Sequence, residues 1–205
     1  MTIVASRRER RKIATRSHIL TTAIDLFSRR GLDAVTIDEI AAAADVGKGT
    51  IYNYFATKED IVVAFMADLE AQMAPTIARF RPGVRPVHRV LADYILLHFR
   101  LKQPYHAFVR VFLAQMFIDT ARFIPYMLEI QKCADPPLQS LFGALVERRA
   151  LRADIDLPQL IMSFKTMHLG LTALWVVEGP PFKQTYRVVR QQMKFFTEGI
   201  MRKAQ

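Results

Sequence analysis

Apolar residues recur at intervals of three and four along almost the whole chain, which is the spacing of amphipathic helices. The first such stretch contains Leu20, Ile24 and Phe27 and ends near Gly31, because glycine commonly follows the last helical turn. Alternation of β-branched residues is scarce, and the 205 residues include only 8 glycines and 10 prolines. The pattern therefore predicts an all-α protein of about nine to ten helices.

Two short helices are predicted after the first one. Residues 36–39 are TIDE, a capping box in which Thr36 and Glu39 satisfy free backbone N–H groups at a helix start. The segment DVGKG (45–49) forms a turn, and a third helix follows from Lys48 to Tyr54. A short first helix, a tight turn and a second short helix have the geometry of a helix-turn-helix unit.

Thr57 is the predicted N-cap of the next helix, and prolines and glycines divide the rest of the chain. The segment RFRPGVRPVHR (79–89) is the best candidate for the boundary between a small N-terminal unit and a larger C-terminal one, because it holds two prolines and a glycine. The adjacent prolines at 136–137 leave open whether 121–151 is one bent helix or two. Further helices are predicted at about 86–101, 104–118, 121–132, 136–151, 156–178 and 182–203.

Positive charge is concentrated at the N terminus of the chain. The formal net charge is +10, which favours an anionic partner such as nucleic acid or an anionic membrane surface. Residues 1–16 carry six basic side chains against Glu9 and form a basic arm. Arg10 and Arg11 are its candidates for nucleic-acid contacts. A solubilising tail is the alternative interpretation.

Several classes of protein fit the sequence poorly. The single cysteine, Cys133, cannot form an intrachain disulfide, so a reducing, cytoplasmic setting is expected. The N terminus is not followed by a long apolar run, and we expect no signal peptide. The uncharged stretch from Thr166 to Val177 is too short to span a bilayer, and no membrane partner is expected.

No catalytic constellation is visible. The five histidines have no metal-ligand spacing, and Ser140 and Ser163 are not flanked by the glycines of a nucleophile elbow. Cys133 has no partner that the sequence identifies as activating. We therefore expect no enzymatic activity, no metal site and no cofactor.

The predicted third helix carries polar and aromatic chemistry on its outer side. Ile51 and Phe55 are four residues apart and face the core, whereas an aromatic strand would alternate. A phosphate-binding loop would need more residues between the glycines and a preceding strand. Hydroxyl, amide and ammonium groups suit phosphate oxygens and base edges. The side chains left on the outer arc are Lys48, Thr50, Tyr52, Asn53 and Tyr54.

The run TIDEIAAAADVGKGTIYNYFATKEDI resembles the DNA-binding signature of the TetR family of transcriptional repressors, and the resemblance covers roughly residues 16–65. It implies that Lys48 and Asn53 contact bases and that Gly49 lets the helix approach DNA closely. It also implies phosphate or other DNA contacts by Thr36, Thr50, Tyr52, Tyr54 and Lys58. The chain departs from the usual family turn, which has Gly in place of Asp45 and Ser in place of Gly47.

Two domains are predicted, a DNA-binding domain at 1–60 with its basic arm and an effector-binding and dimerisation domain at 61–205. Two regular apolar seams lie on the last two helices and suit helix packing. The resemblance implies a homodimer, and hence a near-palindromic DNA operator. A second apolar edge carries Met162, Trp175, Val188 and Phe195. The interface residues are predicted as Phe164, Leu171, Leu174, Val189, Met193, Phe196 and Ile200.

The middle helices are rich in large apolar side chains, most of which we expect to be core. As a set they suit an apolar pocket between helices, and the resemblance implies a small-molecule effector there. The pocket candidates are Tyr94, Tyr105, Phe108, Phe112, Met116, Phe123, Met127, Phe142, Met167, His168 and Trp175.

The sequence thus predicts a DNA-binding transcriptional regulator, a repressor released from its operator by a small, largely apolar effector. The alternatives are a transcriptional activator of the same fold and a non-catalytic helical interaction protein with a basic surface.

Overall fold

The computed structural model describes residues 6–198, except for the side chains of Arg122, Met127 and 129–134. The fold is all-α, as predicted. A short 3-10 turn, Gln103–Tyr105, joins α5 to α6. The helices are α1 (Arg7–Arg30), α2 (Ile37–Ala43), α3 (Lys48–Tyr52), α4 (Lys58–Ala78), α5 (Val87–Lys102), α6 (His106–Ile118), α7 (Thr120–Glu147), α8 (Leu157–Glu178) and α9 (Lys183–Glu198).

The N-terminal basic run and the region around Pro136 and Pro137 are both helical. The basic run at the N terminus is the first two turns of α1, so it is helical and not an extended arm. Ser6 caps this helix, accepting a hydrogen bond from the Glu9 N–H, while the Glu9 carboxylate accepts one from the Ser6 N–H. Helix α7 is continuous through Pro136 and Pro137, so 120–147 is one helix.

The chain divides into two compact units, Met1–Leu69 with Ala107–Tyr126 and Glu70–His106 with Met127–Gln205. The predicted functional boundary between residues 60 and 61 stays a prediction. Helix α4 runs continuously through that position. The connection there is therefore helical and not a flexible loop.

In the first unit, α1 packs against α2, and α2 packs against α3. Ile19, Ala23 and Phe27 on α1 have no exposed surface. Arg16 fixes the same helix to α4, since its Nη1 lies 2.8 Å from Asp68 Oδ2. The Arg16 guanidinium carbon also lies 5.7 Å from the Phe55 ring centroid, within range of a cation–π contact.

In the second unit, α5, α8 and α9 pack against one another. The Trp175 ring stacks between Phe99, 5.4 Å away by ring centroids, and Phe182, 4.9 Å away. The charged groups near this aromatic core are paired. Lys102 Nζ lies 2.6 Å from Glu70 Oε1, and Lys165 Nζ lies 2.8 Å from Asp135 Oδ1.

Two helices, α4 and α8, are long and apolar enough to cross a membrane by length and composition alone. The uncharged stretch 166–177 is only part of α8, which extends from Leu157 to Glu178 and contains Lys165. A core helix of a soluble protein can have the same length and apolar composition. In α8, Leu160, Phe164 and Trp175 are buried against the rest of the second unit.

Candidate nucleic-acid interface

The turn between α2 and α3 has one residue in the left-handed backbone region and is closed by a backbone hydrogen bond. Asp45 has φ 49°, the left-handed region that aspartate tolerates better than most residues. The Val46 N–H donates to the Ala41 carbonyl at 3.0 Å and closes the turn. Gly47 is the N-cap of α3, at φ −70° and ψ 146°, with no side chain to cap the helix. The turn therefore needs no glycine at position 45, and position 47 has ordinary extended backbone.

The inner side of α3 is anchored in the core of the first unit. Ile51 is 0% exposed and Phe55, just beyond the helix, is 4% exposed. Residues four apart share one side of a helix. The outer side therefore carries three such pairs, namely Lys48 with Tyr52, Gly49 with Asn53, and Thr50 with Tyr54.

The Gly49–Asn53 pair lies in the middle of the outer side, opposite Ile51 and Phe55. Both residues are exposed, and a Cβ placed on Gly49 would meet nothing within 4 Å. Tyr52 is 51% exposed, whereas Thr50 and Tyr54 are half-buried at the other flank. A flat, sparsely covered centre with hydroxyl groups on both sides suits close approach to a phosphate-lined groove.

Lys48 is held by a contact from the preceding helix. Its Nζ lies 2.9 Å from Asp38 Oδ2 on α2. The hydrogen bond and charge of Asp38 raise the pKa of Lys48 above its usual range. Asp38 was not among the predicted site residues, although it lies inside the TIDE motif. Nine residues separate Asp38 from Lys48, so no local pattern shows their pairing.

Thr36 and Lys58 are bonded within the unit. The Thr36 hydroxyl accepts from the Glu39 N–H at 3.2 Å, and the Glu39 carboxylate accepts from the Thr36 N–H at 2.8 Å. This backbone bond, followed by one from Arg30, lowers the pKa of Glu39. Lys58 Nζ donates to the carbonyls of Leu32 and Val35 at 2.9 and 2.8 Å. Two of its three donors therefore hold the loop between α1 and α2, and one remains for a ligand.

Arg10 and Arg11 are exposed on the first turns of α1. A helix fixes their spacing, which suits contact with a phosphate backbone. The predicted basic arm is therefore helical from Arg7 onward.

The predicted effector residues are divided between the two units. Phe108, Phe112, Met116 and Phe123 belong to the first unit, where Phe112 and Phe123 pack with ring centroids 5.7 Å apart. The side chain of Met127 lies outside the described residues. The second unit holds Tyr94, Tyr105, Phe142, Met167, His168 and Trp175.

In the second unit, the rings of Tyr94, His98 and His168 form a cluster. The ring centroids of Tyr94 and His98 are 4.8 Å apart, and those of His98 and His168 are 5.0 Å apart. Burial lowers the pKa of His98 well below its usual range and lowers that of His168 to about 3, so both are neutral near pH 7. Among the described residues, His98 Nε2 and Trp175 Nε1 are buried without a hydrogen-bond partner.

An open cleft of about 740 Å³ lies elsewhere in the second unit, around the loop between α7 and α8. It contains none of the predicted effector residues. Its lining residues are Val146, Arg149, Leu151, Arg152, Ala153, Asp154, Ile155 and Leu157.

The predicted dimer seam faces inward. Phe164, Leu171, Val189 and Met193 are buried within the second unit, which leaves them no surface for a partner. Phe196 is half-buried, Leu174 is 36% exposed, and Ile200 lies outside the described residues. The outward apolar side chains of α8 and α9 are Met162, Leu174, Val177 and Phe195.

Within residues 6–198, no group of three or more His, Cys, Asp or Glu side chains is placed to hold a metal ion.

The sequence of the α1–α4 region is similar to that of known regulatory proteins. Residues 19–65 match the family described as "Bacterial regulatory proteins, tetR family". The HTH-type transcriptional regulator RutR of Escherichia coli (strain K12) is 31% identical over 111 residues, which cover 54% of this chain and 51% of RutR. The chain thus spans about half the length of that relative. The HTH-type transcriptional regulator YhgD of Bacillus subtilis is 24% identical over 168 residues, covering 80% of this chain and 85% of YhgD.

The fold is shared over nearly the full length with a solved structure. The transcriptional regulator FadR from Bacillus subtilis, in complex with stearoyl-CoA, superposes with a TM-score of 0.73 at 19% identity. The match covers 90% of this chain and 98% of FadR. At that identity, the likeness concerns the fold.

We expect Gly47→Ser to stabilise the protein. The backbone at position 47 suits any residue, and a Cβ there would meet only Thr50 Oγ1 at 3.8 Å. A serine hydroxyl can cap α3, and serine also loses less chain entropy than glycine, together worth about 0.5–1 kcal/mol. Thermal unfolding measures the gain.

The matched control is Gly31→Ser. Gly31 also has free space for a Cβ, but its φ of 82° strains any other residue. This variant should lose stability. Equal losses in both variants would show that position 47 requires glycine.

Proposed function

The chain belongs to the tetR family of bacterial regulatory proteins, and from this premise we propose that it is a sequence-specific DNA-binding repressor released by a small, largely apolar effector. The observation that carries the proposal is the outer side of α3, where Gly49 and Asn53 form an exposed centre and Ile51 and Phe55 anchor the opposite side. This helix enters the major groove of double-stranded DNA. Acting on DNA places the protein in the cytoplasm.

Each outer side chain has a contact suited to its chemistry. The Tyr52 hydroxyl at one flank, and those of Thr50 and Tyr54 at the other, donate to phosphates and set the register of α3. Asn53 lies at the centre and can bond adenine through both amide atoms, and Lys48 can donate to guanine. Lys58 acts mainly by holding the loop between α1 and α2, with one donor left for a phosphate. Arg10 and Arg11 add electrostatic attraction that falls with salt.

We expect Gly49→Ala to raise stability and to weaken DNA binding at the same time. Alanine is favoured over glycine in a helix by about 1 kcal/mol, and nothing within the chain obstructs its methyl group. In the complex with DNA, the same methyl group would hold the α3 backbone further from the DNA surface. The affinity should therefore fall roughly tenfold, which is the cost of a small overpacking. Thermal unfolding and a gel-shift titration against a duplex selected with the wild-type protein measure the two effects.

The control is Gly143→Ala in α7, another helical glycine with nothing near its added Cβ. It should raise stability and leave DNA affinity unchanged. If the wild-type protein selects no duplex from a random pool at low salt, the proposed function is wrong. Unchanged affinity of the Gly49 variant would remove α3 from the interface.

The effector site is proposed in the second unit, around Tyr94, His98, His168 and Trp175. Its charges are internally balanced, because both histidines are neutral and Lys102 is paired with Glu70. The surroundings are aromatic, and the two unpaired polar atoms of His98 and Trp175 can each take one hydrogen bond. An uncharged or largely apolar ligand segment suits such a site. The structural relative FadR was solved with stearoyl-CoA, whose acyl chain has this character.

We expect a ligand of this class to raise the melting temperature and to release the protein from DNA, since only a ligand that binds the free state better can shift that equilibrium. Stearoyl-CoA and stearate are the first probes. His98→Phe should weaken the response severalfold, because it removes a polar atom from the cluster, whereas His18→Gln on the surface of α1 should not. Equal responses of the two variants would place the effector elsewhere.

The protein is proposed to act as a homodimer through the outer apolar edge of α8 and α9. Val177 is 82% exposed and Phe195 is 77% exposed, although both are large and apolar. Apolar surface of this kind on long helices typically marks an interface. Two copies related by a two-fold axis would then present two α3 helices to a near-palindromic operator.

We expect Phe195→Glu to convert the dimer to a monomer, because a carboxylate placed in an apolar interface loses its hydration. Sedimentation equilibrium gives the mass, and circular dichroism checks the helix content. Phe117→Glu, a substitution of another exposed phenylalanine that lies on α6, is the control and should stay dimeric. A monomeric wild-type protein, or a dimer that survives the first substitution, would contradict this interface.

A further inference from the structure

An acidic side chain stands beside the DNA-facing helix, where it is unfavourable for phosphate binding. Asp38 on α2 and Lys48 on α3 form an ion pair, with 2.9 Å between Asp38 Oδ2 and Lys48 Nζ. The side chains are 70% and 51% exposed, so the pair lies on the outer surface. Exposed pairs add little to stability and open easily. A role in orienting the two groups therefore explains their position better than a role in folding.

Lys48 is a poor phosphate ligand in this arrangement. A phosphate that approaches the ammonium group also approaches the Asp38 carboxylate, and the two anions repel each other. A base pair is different, because its major-groove edge offers donors and acceptors side by side. An ammonium group next to a carboxylate can be satisfied there without breaking apart.

We propose that Asp38 and Lys48 act together to recognise one G·C base pair per half-site, with Lys48 Nζ donating to guanine O6 and N7 and Asp38 accepting from the cytosine N4 amino group. The proposal rests on the proposed function, since it requires α3 in the major groove. It adds Asp38 as a residue that determines specificity.

The spacing of the two protein groups matches that of the two base groups. Guanine O6 and cytosine N4 are hydrogen-bonded to each other, at about 2.9 Å. Lys48 Nζ and Asp38 Oδ2 are separated by 2.9 Å. The two pairs can therefore meet edge to edge, with the ammonium group on O6 and the carboxylate on N4.

The same chemistry ranks the other base pairs. In a T·A pair, thymine O4 and adenine N6 present the same order of acceptor and donor, but thymine has a methyl group and lacks the second acceptor of guanine. Reversing the pair to C·G sets the ammonium group against the amino group and the carboxylate against O6. The expected order is G·C, then T·A, with C·G and A·T last.

The test measures affinity for all four base pairs at every position of an operator selected with the wild-type protein. One position in each half-site should favour G·C over C·G by roughly tenfold or more. In Asp38→Asn that ratio should fall severalfold, because the neutral amide can both donate and accept. Lys48→Gln should lose discrimination at the same position.

Asp33→Asn is the matched control, because Asp33 is also an exposed aspartate of the first unit and its substitution changes the net charge equally. It can raise affinity for all duplexes but should leave every ratio unchanged. An unchanged base preference in Asp38→Asn would overturn the proposal while DNA binding stands. A wild-type protein without any sequence preference would overturn the proposed function and this proposal together.

Discussion

The burial of Ile51 and Phe55 is the contact on which the rest of the first unit's function depends. Helix α3 spans only Lys48–Tyr52, and a helix of five residues does not form in water by itself. It exists because its inner side chains are buried within the first unit, where α3 packs against α2. Burial of that one side also determines which residues face outward. The exposure of Gly49 and Asn53 is thus a consequence of packing, and the packing of the core determines the positions of the outer side chains.

Cationic side chains hold the segments that lead into this helix. Lys58 binds two carbonyls of the loop between α1 and α2, and Arg30 Nη2 lies 2.8 Å from Glu39 Oε1 beside the Thr36 capping box. Arg16 joins α1 to α4. These residues are basic, and a count of charge alone would assign them to DNA. Part of the positive charge of the first unit therefore stabilises its fold, because these side chains bond groups within the unit.

Local sequence patterns predicted the structural features that depend on residues close together in the chain. The capping box at Thr36, the turn with Asp45 and the inward Ile51 and Phe55 all involve residues within a few positions, where propensity and periodicity decide. The S-x-x-E pattern from Ser6 to Glu9 was an equally local signal, and it marks a helix start where an arm was expected. Contacts between distant positions stayed hidden. Neither the bond of Lys58 to Leu32, 26 residues away, nor the pairing of Asp38 with Lys48 follows from spacing.

Periodicity identified the apolar seams of α8 and α9 but could not assign their sides. A helix that packs in a core and also dimerises has two apolar edges, and both satisfy the same spacing rules. The folded structure separates the two edges, because Val189 and Met193 are fully buried within the second unit while Phe195 is exposed. The core-facing and the outward apolar side chains therefore lie on different sides of α9. Val189 and Met193 are thus buried within the single chain, whereas the Phe195 side chain is 77% exposed there.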